Sequence, residues 1–117
     1  MEKNKLECPI ATTVSLIGTK WKWQIIRDLL RYKETSLRFS EFKNTIPNIS
    51  DRMLSQSLKE LEKDHLIKRT LVDSNPPRAE YSLTTMGENL SKVLLNVLDW
   101  GTQYQDMYMK GGTINNE

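Results

Sequence analysis

The feature that most restricts this chain is a tight turn, Pro47-Asn48-Ile49-Ser50, with a helix stop at its head and a helix start at its end. Pro47 cannot continue a helix, because its ring removes an amide donor and clashes with the preceding turn. Ser50 can begin one, since its hydroxyl accepts from an amide that has no carbonyl partner. Before the turn, Ser40 is expected to cap a brief helix over residues 40–46 that buries Phe42 and Ile46. After it, residues 50–64 put Leu54, Leu58 and Leu61 on one helical face, with Asp51 favourable in the first turn. Two short helices joined by so few residues make a helix-turn-helix.

The rest of the chain supplies a frame for that motif. Pro9 suits the first position of a helix and makes Cys8 its N-cap, and Ile10, Val14 and Ile17 recur until Gly18 ends the run. A second helix is expected over residues 20–32, with Trp21, Ile25, Ile26, Leu29 and Leu30 on one face. Trp23 lies off that stripe, either exposed or facing another chain. Residues 37–39 read as a short extended link. His65 stands where a left-handed C-cap residue is expected, which favours a turn residue over a ligand. Residues 67–72 and 79–84 alternate as two strands. The loop between them, residues 73–78, carries Pro76 and Pro77, which keep it out of the ladder. Thr84 can cap a last helix lasting to about Met109.

The expected fold is therefore mainly α with a small β-hairpin (α+β): a winged helix-turn-helix with N- and C-terminal dimerisation helices. Residues 1–117 form one domain, with flexible tails at 1–7 and 111–117. The helix-turn-helix spans 40–64, the wing 67–84 and the dimerisation helix 85–109.

Composition narrows the function. The 117 residues are 38% hydrophobic and 27% charged, which supports a modest core that a partner chain can complete. No stretch is apolar enough to span a membrane or to act as a secretory leader, so a cytoplasmic location is expected. One cysteine, Cys8, and one histidine, His65, exclude an intrachain disulfide and are too few for a protein-only zinc site. No phosphate-binding glycine loop, nucleophile elbow or metalloprotease pair is present. Nothing argues for an enzyme, a cofactor or a metal. Net charge is only +2, but residues 20–43 hold seven basic side chains against three acidic ones, an excess of four. Such a cluster is more often the mark of a solvated helix face.

The second helix of the motif carries the chemistry of DNA reading. With its leucines inward, Asp51, Arg52, Ser55, Gln56 and Lys59 face out. Arginine can bond a guanine edge in two places, glutamine an adenine edge, and lysine or serine a phosphate. Asp51 is expected to support the helix start or to orient Arg52. An amphipathic helix with a plain solvent face would show the same pattern. Arg78 ends the proline-bearing loop, where a wing can lay it along the minor groove; a solvated hairpin residue is the alternative. Arg38 and Lys43 flank the first helix of the motif, which crosses the DNA backbone in this geometry. The DNA-binding set is thus Arg38, Ser40, Lys43, Ser50, Arg52, Ser55, Gln56, Lys59 and Arg78.

In the last helix, Met86, Leu90, Val93, Val97, Trp100, Tyr104 and Met107 follow a 4-3-4-3-4-3 spacing, a heptad-like seam. Leu94, Leu98, Gly101 and Tyr108 form an adjacent stripe. Two stripes make too wide an apolar face for one small domain, so Leu90, Val93, Val97, Trp100 and Tyr104 are assigned to a homodimer interface. Cys8, at a helix N-terminus, is a candidate redox-sensing thiol, or else an inert N-cap.

In order along the chain, several runs together resemble the HxlR-type regulators. They are Cys8-Pro9-Ile10, Gly18-Thr19-Lys20-Trp21, Arg38-Phe39-Ser40-Glu41, Ile49-Ser50-Asp51-Arg52-Met53-Leu54, Leu58-Lys59-Glu60-Leu61-Glu62, Pro76-Pro77, Glu80-Tyr81-Ser82-Leu83-Thr84 and Trp100-Gly101. The resemblance implies a dimer, held mainly by its terminal helices, that binds double-stranded DNA at near-palindromic operators. It implies a recognition helix over 50–64 and a wing at 73–78. It also implies that Cys8 responds to a small oxidant or electrophile. Thr19 replaces a common glycine, His65 replaces the usual glycine after the recognition helix, and Trp23 and Gln24 replace aliphatic residues. A rival reading is a winged-helix protein-interaction module that does not bind DNA.

Overall fold

Short-range punctuation decides where each helix begins and ends in the computed structural model, which describes residues 8–109. The tails expected at 1–7 and 111–117 lie outside those residues, apart from which only Lys110 is not described. Helix α1, Pro9–Ile17, starts on its proline with Cys8 at the N-cap, and Gly18 closes it. Helix α2 is Lys22–Arg31, two residues shorter at its start than expected. Trp21 takes the N-cap, and Thr19 Oγ1 accepts from the Lys22 amide at 3.3 Å.

The extended link is a two-residue strand, β1, Leu37–Arg38. Helix α3 follows at once, Phe39–Thr45, and here one expectation needs correction: Ser40 does not cap it. Arg38 holds the N-cap position, and its amide donates to the Glu41 side chain at 2.8 Å. A carboxylate three residues on can reach back to that amide, so the helix starts two residues earlier than a serine cap would allow.

The turn itself forms as read. Asn48 takes a left-handed φ of 73°, buried Ile49 plugs the core, and Ser50 Oγ accepts from the Met53 amide at 3.0 Å. Helix α4 is Asp51–Lys63. His65, at φ 64°, reverses the chain: its amide donates to Glu62 O at 3.0 Å and the Leu66 amide to Leu61 O at 3.0 Å. That pair of bonds satisfies the last carbonyls of α4 without glycine.

Strands β2, Ile67–Val72, and β3, Arg78–Leu83, pair antiparallel from Ile67↔Leu83 to Val72↔Arg78. Strand β3 runs one residue ahead of the expected bounds. It also takes β1 on its other edge, with Leu37↔Tyr81 and Arg38↔Glu80, giving the order β1-β3-β2. The Asn75–Pro76 peptide bond is cis. Thr84 then ties three elements together. Its Oγ1 accepts from the Gly87 amide at 3.0 Å, capping α5, Thr85–Tyr108. The same hydroxyl donates to His65 O at 2.7 Å, and its amide to Leu66 O at 3.1 Å. Gly87 is required here, because a Cβ would sit 2.0 Å from Leu66 O.

The core lies where α2, α3, α4 and β3 meet. Ile25, Ile26 and Leu29 of α2 pack with Phe42 and Ile46 of α3 and with Leu54, Leu58 and Leu61 of α4. The Phe42 ring meets Tyr81 edge-on at 6.2 Å. Among the described residues, five helices and a three-stranded antiparallel sheet form a winged helix-turn-helix, as expected. Helix α1 buries none of its residues, and α5 packs on the core only through its first turns. None of the described helices is long and apolar enough to cross a membrane.

Candidate nucleic-acid interface

Burial of three leucines fixes which side of α4 faces out. Arg52, Gln56 and Lys59 are exposed and Ser55 is half-buried, and together with Glu60 they line a shallow cleft on that face. Among the described residues, Arg52, Ser55 and Lys59 have no side-chain hydrogen bond or ion pair. Their donors are free to meet an acceptor outside the chain.

The remaining members of the DNA-binding set divide by how they are engaged. Ser50 uses its hydroxyl as the α4 cap. Lys43 reaches across the turn, with Nζ 2.9 Å from Asp51 Oδ1 and donating to Ile49 O at 2.5 Å. It braces the start of α4, and Asp51 pairs with it rather than orienting Arg52. Ser40 is exposed on α3. Arg38 lies at the base of the wing with its guanidinium 3.6 Å from Glu41. Arg78 is the first residue of β3, not part of the loop, and pairs with Glu80 at 3.2 Å. Glu80 also accepts from the Ser36 hydroxyl. That hydroxyl first, then Arg78, holds the Glu80 carboxyl below the usual range. An exposed pair of this kind is worth little and is easily exchanged for a phosphate.

Sequence reasoning missed three residues here. Lys68 and Arg69 are exposed on β2 and extend the basic surface along the wing; two adjacent basic residues in a hairpin strand were the available signal. Asp28 is fully buried. It accepts from Arg27 Nε and Nη2 at 3.2 and 3.1 Å and from Thr45 Oγ1 at 2.6 Å. It therefore pins the end of α3 to α2. Its signal was an acid in the middle of an apolar stripe.

Away from this surface lie the two features assigned to assembly and sensing. Along α5, Val97 is 57% and Trp100 66% exposed, with Val93 and Tyr104 also open. Trp100 stacks on Tyr104 at 5.5 Å, and Tyr104 meets Tyr108 at 5.1 Å. Leu90, expected in the interface, packs instead against the chain's own core. An apolar groove of about 420 Å³ separates α1, α2 and α5, lined among others by Val14, Trp23, Leu30, Leu94 and Leu98. Trp23 faces this groove, with the Arg27 guanidinium 5.5 Å from its ring. Cys8 is exposed. The amides of Ala11 and then Ile10 hold its thiol below the usual pKa, although no complete cap hydrogen bond forms.

This arrangement has close relatives. A family model described as HxlR-like helix-turn-helix matches residues 16–109. The Bacillus subtilis HTH-type transcriptional regulator YdeP is 43% identical over 99 residues, 85% of this chain and 75% of that protein. Among solved structures, the redox regulator HypR in its reduced form is 35% identical with a TM-score of 0.78, covering 86% of this chain and 96% of that one. Quinone-bound YodB from B. subtilis is 35% identical with a TM-score of 0.70, covering 83% of this chain and all of that one, 100%.

Proposed function

The chain belongs to the HxlR-like helix-turn-helix family, a family of DNA-binding transcriptional regulators and not of enzymes, and on that footing we propose that it reads a near-palindromic operator as a homodimer. The observation that carries this reading is the exposed polar face of α4, on which Arg52, Ser55 and Lys59 have no partner among the described residues, beside a basic wing. Arg52 and Gln56 read base edges, while Ser55, Lys59, Ser40 and Arg38 hold phosphates. Arg78, with Lys68 and Arg69, lies along the backbone or minor groove flanking the half-site. Lys43 and Ser50 shape the entry of α4.

Dimerisation rests on the exposed seam Val93, Val97, Trp100 and Tyr104 together with the bare apolar side of α1. A second copy across this face would cover the groove that Trp23 lines. Regulation rests on Cys8. Its thiolate character and exposure favour attack on an electrophile or oxidation. With one cysteine per chain, a disulfide forms when Cys8 and either a second chain's Cys8 or a small thiol pass two electrons and two protons to an oxidant such as diamide, which is reduced to the hydrazine. Support for this reading comes from HypR, a redox regulator, and from YodB, whose structure was solved with quinone bound. The protein is expected to act in the cytoplasm as a single domain.

The test is binding to duplex DNA selected from a randomised pool. Arg52→Ala should cost about 1–3 kcal/mol and relax one position in each half-site. Arg78→Ala should weaken binding across sequences and flatten its salt dependence. Wild-type behaviour by both variants would leave α4 and the wing without a role in DNA, and the protein-interaction reading in their place.

A further inference from the structure

Gln56 differs from its neighbours on the outer face of α4 in being held by the protein itself. Its amide donates through Nε2 to Glu60 Oε2 at 3.1 Å, one helical turn on. The other carboxylate oxygen of Glu60 lies 2.8 Å from Lys22 Nζ. Lys22 opens α2 and is only 7% exposed, and a lysine is seldom buried without a partner. The Lys22 ammonium first, then the Gln56 amide, keeps the Glu60 carboxyl below the usual range and therefore ionised.

An ionised carboxylate only accepts, so Gln56 must turn its nitrogen toward Glu60 and its oxygen away. A free glutamine amide offers either polarity by a half-turn of its last torsion. This one is held in a single sense. We propose that Lys22 and Glu60 are positioning residues for base reading, fixing which end of the Gln56 amide faces the DNA and so which base it prefers. Held this way, the amide presents Oε1 to an exocyclic amino group and its second N–H to an adjacent acceptor, the pattern of an adenine edge. Because Lys22 belongs to α2, the same link ties the reading side chain to the core instead of leaving it to solvent. The side chain is ordered before DNA arrives, which lowers the cost of binding.

This inference rests on α4 being the recognition helix, and the arms of the test separate the two claims. Duplexes selected from a randomised pool by the wild-type chain are varied one base pair at a time. Relative affinities are then measured for Gln56→Ala, Glu60→Ala, the double variant, Lys22→Met, Lys22→Arg and Arg52→Ala. Gln56→Ala and Glu60→Ala should lose preference at the same half-site position, each by about tenfold. The double variant should lose no more than Gln56→Ala alone, and Lys22→Arg should keep the preference that Lys22→Met loses. The Glu60 side chain is 43% exposed, so in Glu60→Ala water can reach the Lys22 ammonium in its place, and the variant is expected to fold. A Glu60→Ala variant that keeps the preference Gln56→Ala loses overturns the positioning role while leaving α4 as the reader. Arg52→Ala and Gln56→Ala that both match wild type at every position overturn the reading of α4, and the positioning role with it.

Discussion

At the scale of single residues, a buried acid and an exposed thiol make the sharpest contrast. Asp28 can be buried because Arg27 and the Thr45 hydroxyl satisfy its oxygens. Asp28→Ala removes hydrogen bonds to a charged group and frees the end of α3, and should cost about 2–3 kcal/mol in urea unfolding. A change below about 0.5 kcal/mol, typical of an uninvolved surface site, would show that α3 is held by packing alone. Cys8 is the opposite case, exposed and lightly held. Because the folded helix end lowers its pKa, the thiolate persists to lower pH than in a free cysteine, whose thiol titrates at about 8.5. The pH profile of iodoacetamide labelling should have its midpoint below that of free cysteine. An equal or higher midpoint removes the physical case for a reactive thiol. If Cys8 is the sensor, diamide should change operator binding by wild type and leave Cys8→Ser unaffected. A wild-type protein indifferent to diamide and quinone makes Cys8 a structural residue.

The elements show what a linear pattern carries and what it does not. Ser50, Thr84 and His65 were legible because each acts on backbone groups within a few residues, where spacing alone decides the partner. The burial of Leu54, Leu58 and Leu61 followed from period. Strand β1 was read only as extended, since two residues become a strand by pairing with β3 more than forty positions on, here Leu37↔Tyr81. Ser40 was misread as a cap because an acid at the third helical position competes for the same role through Glu41. The pairings of Lys43 with Asp51 and Lys22 with Glu60 join separate helices, and no local rule reports them. Helix α5, 24 residues long, spans about 36 Å at 1.5 Å per residue and leaves the core well before its end. Val97 is open in the single chain, so Val97→Glu should leave the fold intact. In a dimer seam it buries an unpaired charge at a cost of several kcal/mol. The variant should sediment as a monomer and lose operator affinity; a stable dimer would place the interface elsewhere.

For the whole molecule, the geometry links a small core to three outward surfaces: α4 with the wing, the α1–α5 apolar face, and the N-terminal thiol. On the proposed reading, one copy offers a single recognition helix, too little to define an operator. Two copies related by a two-fold axis present two such helices to successive major grooves. Hydroxyl-radical footprinting of the full chain on a duplex selected from a randomised pool tests this most directly. The expected result is two protected segments with matching, inverted sequence, centred about 10–10.5 base pairs or 34–36 Å apart. Arg52→Ala should relax the sequence preference in both. A pool that yields no preferred sequence, or a lone protected segment with no inverted mate, would contradict operator reading by a symmetric pair of α4 helices.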